Sequence, residues 1–336
     1  MPRLELLYDL RRAPFSPIDH RGMYREILDQ CAWADRMGFD TVVLGEHHGT
    51  DDGYLPAAAT LAAAIAGRTS RLELRPMVMA PFYDPLHLAE ELAVVDLASG
   101  GRLTPVILAG YVRSEFAMFG VARKDRADAL VECVETLKQA WTGEPFEFRG
   151  RTVRVTPTPY QRPRPTIVVG GTSDVGARRA AHIGDEFQAG TPGHWRAYVE
   201  ECEHIGRQPG RREQSGPSFC YVTEDPERTW PEVAPYVLNH LHVYGAWTRQ
   251  NANRESGVFP PAETVDDLRR NPAYQVVTPD ECVTLAERWG PQGALMLHPM
   301  MAGLPPELSW ASLDLFERSV LPRLEVTRRV APTTYT

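Results

Sequence analysis

Short apolar, β-branched runs alternate with longer stretches of helical period, and this happens eight times along the chain. A strand that leads into a helix and then into another strand builds a parallel sheet with its helices packed outside. The runs are Leu4–Tyr8, Thr41–Leu44, Leu72–Val78, Leu103–Leu108, Thr166–Val169, Glu186–Ala189, Ser218–Val222 and Ala294–His298. The helical stretches carry start and stop signals. One from about Met23 to Met37 closes at Gly38, where a C-cap glycine belongs, and an alanine-rich one runs from Pro56 to Arg68. Asp84-Pro85 opens the next, with an N-cap acid and a proline in the first helical position. Arg126 to Trp141 is another, and Thr278-Pro279-Asp280-Glu281 is a capping box ahead of the last run.

Two segments interrupt the rhythm. Glu147 to Arg154 reads as a hairpin inserted before the fifth strand, followed by a proline-dense connector from Pro157 to Pro165. Asp225 to Gln275 is a long excursion between strands seven and eight, rich in Trp230, Tyr236, Tyr244, Trp247 and Phe259, of the length that lids and binding loops have. A doubly wound open sheet gives the same alternation. Its usual Gly-x-Gly-x-x-Gly turn after the first strand is absent here, and eight units favour a closed barrel. The reading is an α/β protein, a (β/α)8 TIM barrel with these two insertions, forming one domain over residues 1–336.

Composition excludes several roles. Net charge is −8 with arginines scattered along the chain, so the basic stripe of a nucleic-acid binder is missing. The five cysteines, Cys31, Cys133, Cys202, Cys220 and Cys282, are far apart and odd in number, which points to reduced thiols and a cytoplasmic location. The first residues hold no long apolar segment, so neither a signal peptide nor a membrane anchor is expected.

In a (β/α)8 barrel the reacting groups sit just after the strands. Strand two is followed by Gly45-Glu46-His47-His48, where an imidazole can exchange protons near neutral pH and a carboxylate can orient it. An isolated histidine is more often a hydrogen-bonded strand end, and the position at a strand terminus argues for function. No metal site is expected, because His47 and His48 point to opposite faces of an extended strand, and His240 and His242 are two apart on a helical stretch. Strand five is followed by Gly170-Gly171-Thr172-Ser173-Asp174-Val175-Gly176-Ala177, which opens into a helix. That turn reads equally as a phosphate cradle and as a plain N-cap. After strand three, Pro76-Met77-Val78-Met79 offers soft apolar surface for a flat ring, or ordinary core.

Taken in order, these pieces resemble the bacterial luciferase-like family of flavin-dependent monooxygenases and related oxidoreductases. The resemblance is carried by Ala34-Asp35-Arg36-Met37-Gly38-Phe39-Asp40 leading to Glu46-His47-His48, by Ala66-Gly67-Arg68-Thr69-Ser70-Arg71-Leu72, and by Asp84-Pro85 through Leu97-Ala98-Ser99-Gly100-Gly101-Arg102. It continues through Glu115-Phe116, Phe119-Gly120, Gly170-Gly171, Gly184-Asp185 and Val320-Leu321-Pro322. It implies reduced FMN at the barrel mouth, reacting with molecular oxygen to give a flavin peroxide that oxygenates a small organic substrate. It also implies a homodimer and a separate flavin reductase that supplies the reduced cofactor.

By the same resemblance His47 is the active-site histidine and Glu46 its neighbouring carboxylate. Met77, Val78, Ala109, Gly110, Gly170, Gly171, Thr172, Ser173, Gly176 and Ala177 hold the flavin, and His48, Tyr244 and Trp247 meet the substrate. A non-prolyl cis peptide is expected near Pro76-Met77. Ala109 stands where relatives often carry an arginine or small polar residue near the phosphate, so either Arg113 or Arg178 supplies charge there or the flavin binds weakly and arrives already reduced from the separate reductase. The alternatives are a deazaflavin-dependent hydride-transfer enzyme on the same barrel face and a non-catalytic flavin-binding partner subunit.

Overall fold

The computed structural model describes residues 2–211, 214–250, 262–291 and 293–324. Phe259, read above as part of the excursion, lies outside them. The strands are β1 (Arg3–Tyr8), β2 (Thr41–Leu44), β3 (Glu73–Met79), β4 (Val106–Leu108), β5 (Phe146–Phe148), β6 (Arg151–Val153), β7 (Val168–Gly171), β8 (Glu186–Ala189), β9 (Gln214–Gly216), β10 (Phe219–Val222), β11 (Tyr274–Val277) and β12 (Gly293–Leu297). The helices are α1 (His20–Met37), α2 (Ala58–Ala66), α3 (Pro85–Ser99), α4 (Arg113–Phe119), α5 (Arg126–Ala140), α6 (Asp174–Ile183), α7 (Pro192–His204), α8 (Pro226–Gln250), α9 (Val265–Arg270), α10 (Pro279–Trp289) and α11 (Pro306–Leu315).

Eight strands form one parallel sheet in the order β8-β7-β4-β3-β2-β1-β12-β9. That is the order of a (β/α)8 barrel, but among the described residues no ladder joins the end strands β8 and β9, so the sheet is curled and open along that side. The closed barrel is corrected at the seventh strand. The predicted run Ser218–Val222 does form β10, yet it pairs with β11 (Phe219↔Tyr274 to Val222↔Val277), and the stave beside β12 is β9. Pro217 divides the two: with no N–H to donate it ends one ladder, and the chain joins another. β5 and β6 form a separate antiparallel hairpin.

The local signals act as their chemistry dictates. Gly38 caps α1 at φ 84°, a left-handed conformation that glycine takes without a Cβ clash. The Asp84 side chain accepts from Leu86 and His87 N–H at the start of α3, and Thr278 with Glu281 closes a capping box on α10. The excursion is mostly helix. α8 runs 25 residues with Pro231 and Pro235 inside it, although interior proline disfavours a helix by about 3 kcal/mol. Packing outweighs this cost, because Val233, Ala234, Val237 and Leu241 are buried in a second core with Phe219, Tyr274 and Met301. The expected cis peptide near Pro76-Met77 is absent. The cis bonds among the described residues precede Pro157, Pro163 and Pro217, and β3 runs on as a regular ladder with β4 from Met77↔Val106 to Met79↔Leu108.

At the N-terminal end of the sheet, Arg102 fastens two βα units together. Its Nε donates to the Ser99 carbonyl at 2.7 Å, Nη1 to Thr69 Oγ1 (2.9 Å) and the Leu72 carbonyl (2.8 Å), and Nη2 to the carbonyls of Ala66 (3.1 Å) and Thr69 (3.0 Å). A lysine there keeps the charge without the planar fork. Arg102→Lys should therefore lower stability by about 2 kcal/mol, the net worth of one or two charge-assisted bonds. The effect should appear as a lower urea midpoint at unchanged slope. Among the described residues no helix is long and apolar enough to cross a membrane.

Candidate active site

The C-terminal ends of the strands enclose a cavity of about 500 Å³, within the size range of small-molecule and cofactor sites. β2 delivers His47 to it. Backbone pairing continues past the strand end, with Gly45 N–H donating to the Tyr8 carbonyl (2.9 Å) and His47 N–H to that of Leu55 (3.1 Å), so the imidazole hangs from a fixed backbone. A side chain on Gly45 would put its Cβ 2.3 Å from the Tyr54 hydroxyl. Glycine there lets Tyr54 reach across to the Tyr244 hydroxyl at 2.9 Å.

His47 is 4% exposed, and its Nδ1 lies 2.7 Å from Glu115 Oε1, a carboxylate buried on α4 that also accepts from His48 N–H at 2.8 Å. The ring is boxed by aromatics, with Trp247 at 4.5 Å, Tyr54 at 4.8 Å, Tyr111 at 5.7 Å and Tyr244 at 6.1 Å between centroids. With Nδ1 engaged by a carboxylate, the tautomer is fixed and Nε2 is left to exchange a proton with a molecule in the cavity. Burial and Tyr244 push the Tyr54 hydroxyl well above its ordinary range, so it stays a neutral hydrogen-bonding group.

Glu46 lines the cavity but does not orient His47. Its Oε1 accepts from Met79 N–H (2.9 Å) and faces His48 Nε2 (3.3 Å), and its Oε2 accepts from the Tyr83 hydroxyl (2.8 Å). The carboxylate thus ties the end of β2 to the end of β3. His48 turns away from the cavity and packs between Phe82 (5.4 Å) and Phe119 (4.9 Å), as alternation along an extended backbone requires.

The other predicted residues divide between lining and support. Met77, Gly170, Gly171, Thr172 and Tyr244 line the cavity. Val78, next to Met77, is fully buried on the opposite face of β3. Ser173 caps α6, its Oγ accepting from Gly176 N–H (3.1 Å) and its carbonyl from Ala177 N–H (2.9 Å). Those two amides are therefore occupied, and Thr172 with the glycine pair is what the turn presents to the cavity. Ala109 is half-buried, and Gly110 turns the chain at φ 68°. Arg178 is exposed and lies 3.9 Å from Glu201, and Arg113 is exposed on α4; among the described lining residues Arg75 is the only arginine or lysine.

The sequence reading missed several groups in this chamber. Glu115 was part of the family resemblance but had no role, because 68 positions separate it from His47. Asp9 directly follows β1 and His298 directly follows β12, so the strand-end rule itself points to both. His240 lies on the same face of α8 as Val233, Val237 and the predicted Tyr244 and Trp247, at spacings of three and four. Trp247 reaches the site through its contact with His47.

Comparison with known proteins gives a consistent picture. A model of the luciferase-like monooxygenase family matches residues 12–290. The chain is 27% identical over 272 residues to the oxygenase component of the flavin-dependent trigonelline monooxygenase of Acinetobacter baylyi, covering 75% of this chain and 73% of that one. It is 26% identical over 328 residues to an F420-dependent glucose-6-phosphate dehydrogenase of Segniliparus rotundus, covering 89% and 94%. The crystal structure of the monooxygenase RslO1 from Streptomyces bottropensis superposes with a TM-score of 0.75 at 25% identity, covering 96% of this chain and 99% of that one.

Proposed function

The chain belongs to the luciferase-like monooxygenase family and is an oxidoreductase, and from that premise we propose that it uses reduced FMN and molecular oxygen to oxygenate a small organic substrate. The observation that carries the proposal is His47: an imidazole at a strand end, fixed through Nδ1 by buried Glu115 and facing the cavity. The cavity suits a flavin. Met77, Met79, Leu108 and Met296 give soft apolar walls for a flat ring, and Gly170, Gly171 and Thr172 present backbone at the positive end of the α6 dipole.

Bound reduced FMN would supply the electrons that activate oxygen. The chain's own part is to hold the ring, to exclude water with the Tyr54–Tyr244 pair and Trp247, and to take or return a proton at His47 Nε2. A flavin that arrives already reduced from a separate reductase is supported by the Acinetobacter relative, which is named as an oxygenase component. We read residues 1–336 as one domain and the open β8–β9 side as the lip of a single barrel. Val94 and Leu97, exposed on α3, suit the surface of a cytoplasmic homodimer.

The test supplies the protein with a flavin reductase, FMN and ¹⁸O₂ alongside a panel of small organic compounds. One labelled oxygen atom in a product is the expected result. Substrate oxidation without label, with oxidised deazaflavin accepting the hydride and becoming reduced, would favour the second reading, which the long match to the Segniliparus dehydrogenase supports.

A further inference from the structure

Tyr244 touches His47 on one side and, on the other, a second ionisable cluster that the flavin reading does not use: its ring lies 6.1 Å from His47 and 4.8 Å from His240. β1 and β12 are neighbours in the sheet, so the residues that follow them, Asp9 and His298, emerge side by side. His240 descends on them from α8. All three line the cavity, and they are 2%, 1% and 4% exposed for Asp9, His298 and His240. His240 Nδ1 lies 3.2 Å from Asp9 Oδ2, His298 Nε2 lies 3.6 Å from Asp9 Oδ1, and Arg11 N–H donates to Oδ1 at 3.1 Å.

Among the described residues His298 Nδ1 has no hydrogen-bond partner, and Nε2 has only the 3.6 Å ion-pair contact with Asp9 Oδ1. A buried polar group in that state is costly, and the cost is relieved when a ligand provides the missing partner. The charges around it are well defined. Burial drives His240 down to about 4, against the pull of Asp9, so at neutral pH it is an uncharged ring. Burial would raise the Asp9 carboxyl, but His298 and His240 outweigh it and hold Asp9 well below the usual carboxylate range. An ionised carboxylate facing Nε2 of His298 favours the proton there and leaves Nδ1 as a basic acceptor. Among the described residues no group of three His, Cys, Asp or Glu is arranged to hold a metal ion. Met296, Trp289 and Tyr244 line the same chamber with surfaces that suit a flat ring.

We propose that Asp9 and His298 form the substrate base of this site, and that the substrate is a small ring compound bearing a weakly acidic hydroxyl, a phenol or a ring enol. The hydroxyl proton passes to His298 Nδ1, and the O–H electron pair stays on the substrate oxygen as a phenolate. The imidazolium so formed is paired with Asp9. The step needs no oxidant, and it makes the ring electron-rich, as attack by an electrophilic oxygen requires. The inference rests on the oxygenase reading only for that last consequence.

The test uses 4-nitrophenol, whose phenolate absorbs separately from the neutral phenol, at a pH where the free probe is mainly protonated. The wild-type protein should bind it as the phenolate. His298→Phe should bind it as the neutral phenol, and Asp9→Asn should lower the bound phenolate-to-phenol ratio about tenfold or more, one pKa unit for the lost charge. 4-Nitroanisole, which has the ring but no acidic hydroxyl, should bind wild type and both variants alike. A purely structural role for His298 would change affinity for both probes and leave the ionisation of bound nitrophenol unmoved.

Neutral nitrophenol in the wild-type site, no binding, or an unchanged ratio in a folded variant would overturn the proposal; should His298→Phe not fold, Asp9→Asn decides alone. Reduced-FMN binding on the same preparations separates the two readings. A protein that binds reduced FMN yet leaves nitrophenol neutral refutes only the base, and one that ionises nitrophenol yet ignores reduced FMN refutes only the flavin assignment.

Discussion

His47→Ala should lower turnover by about two to four orders of magnitude, the span over which enzymes depend on a positioned acid–base group. The barrel should remain folded, because the imidazole makes its polar contact to a single carboxylate and the surrounding Trp247, Tyr54 and Tyr111 rings are held by their own elements. Glu115→Gln is the informative companion. It keeps a side-chain acceptor for His48 N–H but removes the charge that fixes the tautomer of His47, so turnover should fall by roughly tenfold or more, the usual effect of losing such an orienting partner. The measurement is steady-state turnover with any substrate found in the labelling screen, beside a thermal melt of each variant. Undiminished turnover in His47→Ala would remove this histidine from the chemistry.

Acid should destabilise the protein in a window set by His240. Its folded pKa is about 4 against 6.5 for the free side chain, so between those values the unfolded chain takes a proton that the folded chain refuses. The stabilisation from a neutral His240 is complete above about pH 6.5. It declines as the pH falls toward about 4, by roughly 3 kcal/mol at 1.36 kcal/mol per pKa unit. Asp9 acts in a separate range. Its carboxyl is held well below the free value of 3.8, so its contribution is present above that value and is lost only in stronger acid. Urea midpoints measured from pH 7 to pH 4 should fall in the wild type and fall less in His240→Asn, which keeps a donor toward Asp9 without a titrating ring. Parallel curves would contradict the burial of a neutral imidazole at this position.

The parts of the molecule that were legible in the sequence are those governed by local rules. Alternating runs located the strands because a βα repeat has one stable layering, and Gly38, Asp84-Pro85 and the Thr278–Glu281 box marked helix ends because caps act over three or four residues. The rule that chemistry follows the strand ends led to Glu46-His47 and to the Gly170-Gly171-Thr172 turn. Long-range pairing was not legible. Nothing near Glu46 in sequence says that its carboxylate is taken by Met79 N–H and the Tyr83 hydroxyl, leaving His47 to Glu115.

The same limit applies to the motifs. Arg102 and Asp35 appeared as parts of a family pattern, yet both are structural fasteners: the Asp35 carboxylate accepts N–H bonds from Ser70 (3.0 Å), Arg71 (2.7 Å) and Leu72 (2.8 Å) where β3 begins. The first half of α8 was hidden by its prolines, since local propensity argues against a helix that tertiary burial of Val233, Val237 and Leu241 makes stable. The divided seventh strand was hidden because a proline announces a break without saying which ladder each half will join.

The most direct test of the central claim is the reoxidation of reduced FMN by air, followed by rapid mixing with and without the protein. If this chain is an oxygenase, bound reduced FMN will return to the oxidised form through a slow phase that free flavin lacks, and His47→Ala will change the rate of that phase. If the time course is the same with and without protein, while reduced deazaflavin binds tightly and does not react with oxygen, the enzyme transfers hydride and the oxygenase account is wrong.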